Sequence, residues 1–430
     1  MAALESQSNP RPVHWYGWVI VVVAALAMVA TLPGRTHGLG MITERLLADE
    51  RFHLDRIGYS NINLWATLLG GLFCLPCGWL IDRCGLRVTL TATVAALACA
   101  VLWMTRVPDA SQLSLALLLT RGFGQSALSV ISITMVGKWF PDRPSIPMAV
   151  YSLLLSLGFA FAPQVAKDWA TADWRVVWGG MGYVLMAFVP VALFITRDPP
   201  SPHAQADSTA DLRLHGDGTC GAIPDANPAS FTLGEAVCTQ TFWLFGITIS
   251  LVALIGSGLS LFNESVLKEQ GFPAEAYYNL ITFTGIVGLL AKLPIGWLGQ
   301  YVPLNRLLAV GLLMQAVCMA SLPLIHTQMG IRLYGVGMGI SGSITTVLFF
   351  TIWSHSFGRA QLGQIQAVSQ MMTVLASALG PRVFAECFSR FGNYKLAFLT
   401  LSAVTVILAG WSCVVRVPRP EDAPHAKVVA

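Results

Sequence analysis

Charge is scarce in this chain: only 11% of its 430 residues are Asp, Glu, Lys or Arg, while 55% are hydrophobic. A water-soluble fold of this size carries about a quarter charged residues, so lipid must be the solvent for much of the surface. The sequence also lacks a dense Lys/Arg block, and its formal net charge is only +4, which removes the electrostatic basis for nucleic-acid binding. No His/Cys group has metal-ligand spacing, and no Walker loop, H-E-x-x-H or G-x-S-x-G stretch occurs. These absences argue against a metalloenzyme, an NTPase or a serine hydrolase; no cofactor and no metal are expected. The nine cysteines, Cys74, Cys77 and Cys84 among them, read as helix-packing residues without a disulfide framework. The N-terminus, Met1 to His14, has no small-residue cleavage site and reads as a short cytoplasmic tail.

What the chain has in abundance is apolar runs of about 20 residues, each long enough for a hydrocarbon core about 30 Å thick. Without water to satisfy backbone groups, such runs must be helices. The runs are expected at 16–46, 59–81, 88–105, 112–138, 146–166 and 174–196, then at 241–266, 277–299, 306–325, 331–354, 364–387 and 393–416. Residues 197–238 between the two sets are rich in Pro, Asp, Gly, Ser and Ala, a composition that reads as a flexible linker. The expected organisation is a tail 1–15, a six-helix bundle 16–197, a linker 198–238, a second bundle 239–417 and a tail 418–430.

The two sets repeat. Gly38-Leu39-Gly40-Met41-Ile42-Thr43-Glu44 is matched by Gly258-Leu259-Ser260-Leu261-Phe262-Asn263-Glu264, an offset of 220 residues, with Phe52 and Phe272 eight residues beyond each glutamate. Gly78-Trp79-Leu80 pairs with Gly296-Trp297-Leu298, and Ala162-Pro163 with Gly380-Pro381. Repeats of this kind enclose one site near the bilayer midplane. The even span count puts both termini on one side. The Lys/Arg bias between loops favours the cytoplasm for that side only slightly.

Ionisable residues inside spans cost roughly 2.5–3.5 kcal/mol each at a helix centre. Four cations fall there, Arg35, Arg121, Lys292 and Arg382, and no Asp lies deep in any span; Glu44, Glu264 and Glu386 sit toward outer helix ends. A cleft with uncompensated positive charge favours an anionic substrate. His37, two residues from Arg35, titrates near neutral pH in an ordinary setting. Asn63, Tyr151, Phe283 and Gln370 are further candidates to line the cleft, although packing accounts for any one of them alone.

Gly78-Trp79-Leu80-Ile81-Asp82-Arg83-Cys84-Gly85-Leu86-Arg87 resembles the G-x-x-x-D-R-x-G-R-R loop of the major facilitator superfamily, with Leu86 at one basic position. The resemblance implies a twelve-helix all-α membrane carrier in two pseudo-symmetric bundles. It also implies a cytoplasmic gate at Gly78, Asp82, Arg83 and Arg87, with Glu44, Glu264 and Arg382 as candidates for the outer gate. Gly137-Lys138-Trp139-Phe140-Pro141-Asp142-Arg143 is similar to stretches of the oxalate:formate antiporter and monocarboxylate transporter branches. Gly288-Leu289-Leu290-Ala291-Lys292-Leu293-Pro294 resembles the eighth helix of monocarboxylate transporters, where an arginine holds the substrate carboxylate. In this chain Lys292 would take that role, with Arg35 beside it. Gly288 stands where that branch has its proton-carrying aspartate, which leaves the coupling open: H+, a counter-transported anion, or neither. The Arg121-Gly122-Phe123-Gly124-Gln125 run partly resembles the fourth-helix R-x-x-Q-G motif of the superfamily and suits gating as well as substrate contact. The reading is a plasma-membrane carrier (inner membrane in a bacterium) for a small organic anion, a monocarboxylate first, working as a monomer with cytoplasmic termini. The alternatives are a nitrate/nitrite-type or drug-efflux carrier, and a transporter-like sensor.

Overall fold

The structure is a computed structural model that describes residues 15–52, 54, 56–140, 144–167, 173–199 and 230–424. Among the described residues, eleven helices are long and apolar enough to cross a membrane, and a twelfth contributes a shorter apolar stretch, Ser145–Phe161. No strand occurs among them. In chain order the helices are α1 (Trp15–Val29), α2 (Arg56–Gly71 continued by Cys74–Cys84), α3 (Leu86–Met104), α4 (Ala110–Thr120 continued to Trp139), α5 (Ser145–Lys167) and α6 (Trp174–Ile195). The second half holds α7 (Gln240–Glu269), α8 (Ala274–Leu298), α9 (Leu304–Ser321), α10 (Gln328–Phe357), α11 (Leu362–Phe391) and α12 (Lys395–Val414). The protein is an all-α, multi-pass membrane protein.

Three helices depart from regularity, each for a local reason. The span expected over 16–46 is not continuous. α1 ends at Val29, a 3-10 turn Leu32–Gly34 follows, and short helices Thr36–Gly40 and Thr43–Leu47 complete the stretch. Pro33 has no N–H to continue the ladder, and Gly34 lies so close to α4 that a Cβ there would stand 2.7 Å from the Gln125 nitrogen. α2 is interrupted at Leu72–Phe73, where Pro76 cannot donate to the Leu72 carbonyl four residues back. α4 widens to a π-helix over Arg121–Leu128, a distortion frequent at functional sites.

The bundles pack most closely at the face where α1 begins and α12 ends. A Cβ at Gly78 would stand 2.5 Å from both the Ala367 Cβ and the Gly363 carbonyl oxygen, and one at Gly296 would stand 2.3 Å from the Ala149 Cβ. These two crossings, α2 on α11 and α8 on α5, are copies of each other: Gly78 and Gly296, like Ala149 and Ala367, lie 218 residues apart. The internal repeat is therefore a repeated contact between bundles. Along the α2–α11 seam the contact reaches Gly71, whose Cβ position would be 3.5 Å from Val374 and Leu375. Toward the opposite face, Leu379, Arg382, Val383, Glu386 and Arg390 of α11 line an open recess of about 490 Å3. The bundles are thus in close contact at the terminal face, and the recess toward the other face is lined by α11 alone.

Residues 200–229 of the expected linker lie outside the described residues, whereas its last part is folded. Thr232 caps a short helix, Leu233–Val237, in a capping box with Glu235. Phe231 is buried, with its ring 5.5 Å from that of Phe357.

Candidate functional site: the crossing at Asp82 and the membrane cations

Asp82 ends α2 at the terminal face and binds across the bundle boundary. Its oxygens accept from the backbone N–H groups of Gly363 (3.1 Å) and Gln364 (2.9 Å) in the first turn of α11. Those amides are among the four that a helix start leaves without intrahelical partners, and the positive end of the helix dipole favours a carboxylate there. Asp82 thus caps a helix of the other bundle. Lys138, at the end of α4, donates to Asp82 at 2.7 Å from within the same bundle. Arg83 lies over the Trp79 ring, 5.0 Å from its centroid, and Arg87 donates to the Leu193 carbonyl at 2.6 Å. Both arginines bind within the first bundle, so among the described residues the side chain reaching the opposing bundle from this loop is that of Asp82.

Near mid-membrane the cations converge on α5. Arg35, half-buried past the α1 break, donates to Thr31 (2.7 Å) and Ser129 (3.0 Å) and lies 5.1 Å from the centroid of Phe159. Lys292 of α8 is buried and reaches across the bundle boundary, donating to the Ser152 carbonyl at 3.0 Å and to the Ser156 hydroxyl. With about 1.5 Å of rise per residue, Ser152 and Ser156 stand about 10 and about 16 Å from the start of α5, close to the middle of a hydrocarbon core about 30 Å thick. Tyr151 is fully buried beside them; its hydroxyl is 2.8 Å from that of Ser132 and its ring 5.1 Å from that of Phe350 on α10. Among the described residues no carboxylate lies within ion-pair distance of Arg35 or Lys292, whereas Asp49, Asp82, Asp173 and Glu386 pair with other cations.

Arg121 opens the π-helical turn and is buried. It donates to Gln125 (2.8 Å) and Asn63 (3.0 Å), while its Nε has no partner. Asn63 also donates to the Tyr59 carbonyl at 3.1 Å, so both ends of this amide are engaged inside the first bundle. Gln370 is buried on α11 and Phe283 is 38% exposed on α8, packed against Gly335 of α10. Arg382 faces the open recess on α11. His37, Glu44 and Glu264 fall on helical backbone, but their side chains lie outside the described residues. Gly288 is used in packing: its carbonyl accepts from Ser343 of α10 at 2.7 Å, and a Cβ there would meet the Gly339 oxygen at 3.3 Å.

Sequence reasoning did not single out Lys138 as the partner of Asp82, nor Ser152 and Ser156 as the groups that hold Lys292. Only the basic residue at the end of α4 hinted at the first. The serines carry no signal apart from lying one helical turn apart.

The family model for the Major Facilitator Superfamily matches residues 19–381, most of the chain. The chain belongs to the major facilitator superfamily. It is accordingly a membrane transporter, with a small-molecule substrate and a lipid environment. The superfamily's two-bundle plan explains why Asp82 and Lys292, on equivalent helices of opposite bundles, both reach across the boundary. No curated protein matches the sequence.

Proposed function

We propose that this transporter carries a small organic anion, with a monocarboxylate as the first candidate, by rocking its two bundles about the site at α5. The observation that carries the reading is the pair Arg35 and Lys292, a half-buried and a buried cation that both contact α5 and have no carboxylate partner among the described residues. A charge left without a counterion in low dielectric is costly, and an anion held between the two would offset both. Lys292 now spends its donors on a backbone carbonyl and a hydroxyl. Both are neutral acceptors that a carboxylate outcompetes, because hydrogen bonds between charged groups are the stronger kind. The hydroxyls of Ser129 and Ser156 and the ring of Phe159 complete the polar and apolar walls.

With cytoplasmic termini, as the loop charges favour, the crossing at Asp82 is the inner gate. Among the described residues no acid lies within ion-pair distance of these cations, which disfavours a cationic substrate, and no catalytic constellation occurs, which disfavours an enzyme.

The test is a thermal-shift screen of lactate, pyruvate, formate, oxalate and nitrate on the purified protein and on Lys292→Ala. One or more carboxylates should stabilise the wild type and lose most of that effect in the variant. Equal stabilisation of both proteins would remove Lys292 from the site, and stabilisation by nitrate alone would replace the carboxylate reading.

A further inference from the structure

We propose that the end of the linker, Ser230–Val237, is docked onto the gate through Gln361 and is released when the gate opens. The inference rests on the terminal-face geometry alone and is independent of the substrate.

Gln361 occupies the N-cap position of α11, yet its side chain does not cap that helix. Its Oε1 accepts instead from the Leu233 N–H, at 2.7 Å. Leu233 opens the short linker helix, so its amide is itself one that lacks an intrahelical acceptor. The same linker segment binds the α10–α11 connection at two more points. The Phe231 N–H donates to the Phe357 carbonyl at 2.9 Å, and the Arg359 N–H donates to the Ser230 hydroxyl at 3.3 Å. On the other side of this connection, Asp82 of the first bundle accepts from Gly363 and Gln364. Side chains from outside therefore serve both helix starts: Asp82 accepts from α11, and Gln361 accepts from Leu233 of the linker helix beside its own Thr232–Glu235 capping box.

Opening the gate withdraws Asp82, because it moves with the first bundle. The Gly363 and Gln364 amides then lack an acceptor. Gln361, at the N-cap, is placed to supply one, since a side-chain oxygen there accepts from the amide two or three residues on. Taking that role requires it to leave Leu233. The linker helix loses its outside acceptor at the moment the bundles part, so linker docking reports the state of the gate, and a force that frees the linker favours opening.

Hydrogen exchange of the full chain in lipid nanodiscs tests this directly. In Asp82→Asn, the amides of Leu233–Val237 should exchange at least tenfold faster than in the wild type, while those in the second half of α9, away from the terminal face, stay unchanged. In the double variant Asp82→Asn with Gln361→Ala, the Gly363 and Gln364 amides should exchange faster than in Asp82→Asn alone, because the replacement acceptor is gone. Wild-type exchange at Leu233–Val237 in Asp82→Asn would overturn the proposal. So would an acceleration shared by the second half of α9, which would mark a global loss of structure, or Gly363 and Gln364 exchange indifferent to Gln361.

Discussion

Replacing Asp82 by asparagine removes the charge that joins the bundles and leaves the shape of the side chain almost unchanged. The wild-type carboxylate makes three close contacts, but they do not weigh equally in the gate. Lys138 belongs to the same bundle as Asp82, so their 2.7 Å pair should persist if the bundles part here, whereas the bonds to Gly363 and Gln364 should break. A hydrogen bond to a charged group contributes about 1.5–3 kcal/mol, against about 1 kcal/mol for a neutral one, and the helix start adds a few tenths more. Asparagine retains one neutral acceptor, so the closed state should lose at least about 2 kcal/mol relative to the open one. At about 1.4 kcal/mol per tenfold change, the open-to-closed ratio rises about 30-fold or more. Spin labels on Cys84, exposed at the end of α2, and on Ala360→Cys, exposed before α11, report the separation directly once the other exposed cysteines are replaced by serine. The wild type should give one short distance, and Asp82→Asn a dominant longer one. An unchanged distance distribution in the variant would refute the capping argument.

Other substitutions test neighbouring parts of the account. Gly78→Ala places a methyl 2.5 Å from both the Ala367 Cβ and the Gly363 oxygen; it should lengthen the same distance, and an unaltered closed population would show that the crossing tolerates a Cβ. Arg121→Lys loses the planar fork that spans Gln125 and Asn63 and should cost about 1.5–3 kcal/mol of stability; a melting temperature equal to the wild type's would contradict it. At the face opposite the gate, Asp49 binds Arg175 at 2.6 Å. Burial works against its charge, but hydrogen bonds from Arg175, Trp174 and the Arg51 amide outweigh it, holding the carboxyl below its ordinary value. A depressed carboxyl stabilises the fold above its unfolded pKa of about 3.9 and ceases to do so as pH falls through the lower folded value. The stability gap between wild type and Asp49→Asn should therefore be flat from about pH 8 to about pH 5 and shrink below about pH 4. A gap that grows on acidification would reverse the sign.

Much of the fold could be read from the chain because a bilayer admits few solutions. Long apolar runs must be helices, and their number and spacing leave little choice of class. The break in the first span was readable at Pro33-Gly34, since proline and glycine punctuate wherever they occur. Partners across space were another matter. Asp82 stands 56 residues from Lys138 and 281 from Gly363, and no local pattern distinguishes Lys138 from the nearer Arg83 and Arg87. Asn63 was a plausible cleft residue until its amide was found occupied by Arg121. The folded end of the linker carried its own signal in Thr232-Leu233-Gly234-Glu235, a capping-box pattern, but the composition of residues 197–238 as a whole concealed it. At the site, the cations were visible as costly residues in apolar runs. Their convergence on one helix depended on which faces α1, α5 and α8 turn toward one another, and that is a property of the packing.

The proposed function requires that Arg35 and Lys292 together hold a transported anion. Counterflow of labelled lactate, pyruvate, formate and oxalate in proteoliposomes, on wild type, Lys292→Ala and Arg35→Ala, tests it most directly. The wild type should exchange at least one of these anions, and both variants should lose nearly all of that exchange with the fold of each intact. Full exchange by either variant, or a wild type that accumulates a cation and none of the anions, would contradict it.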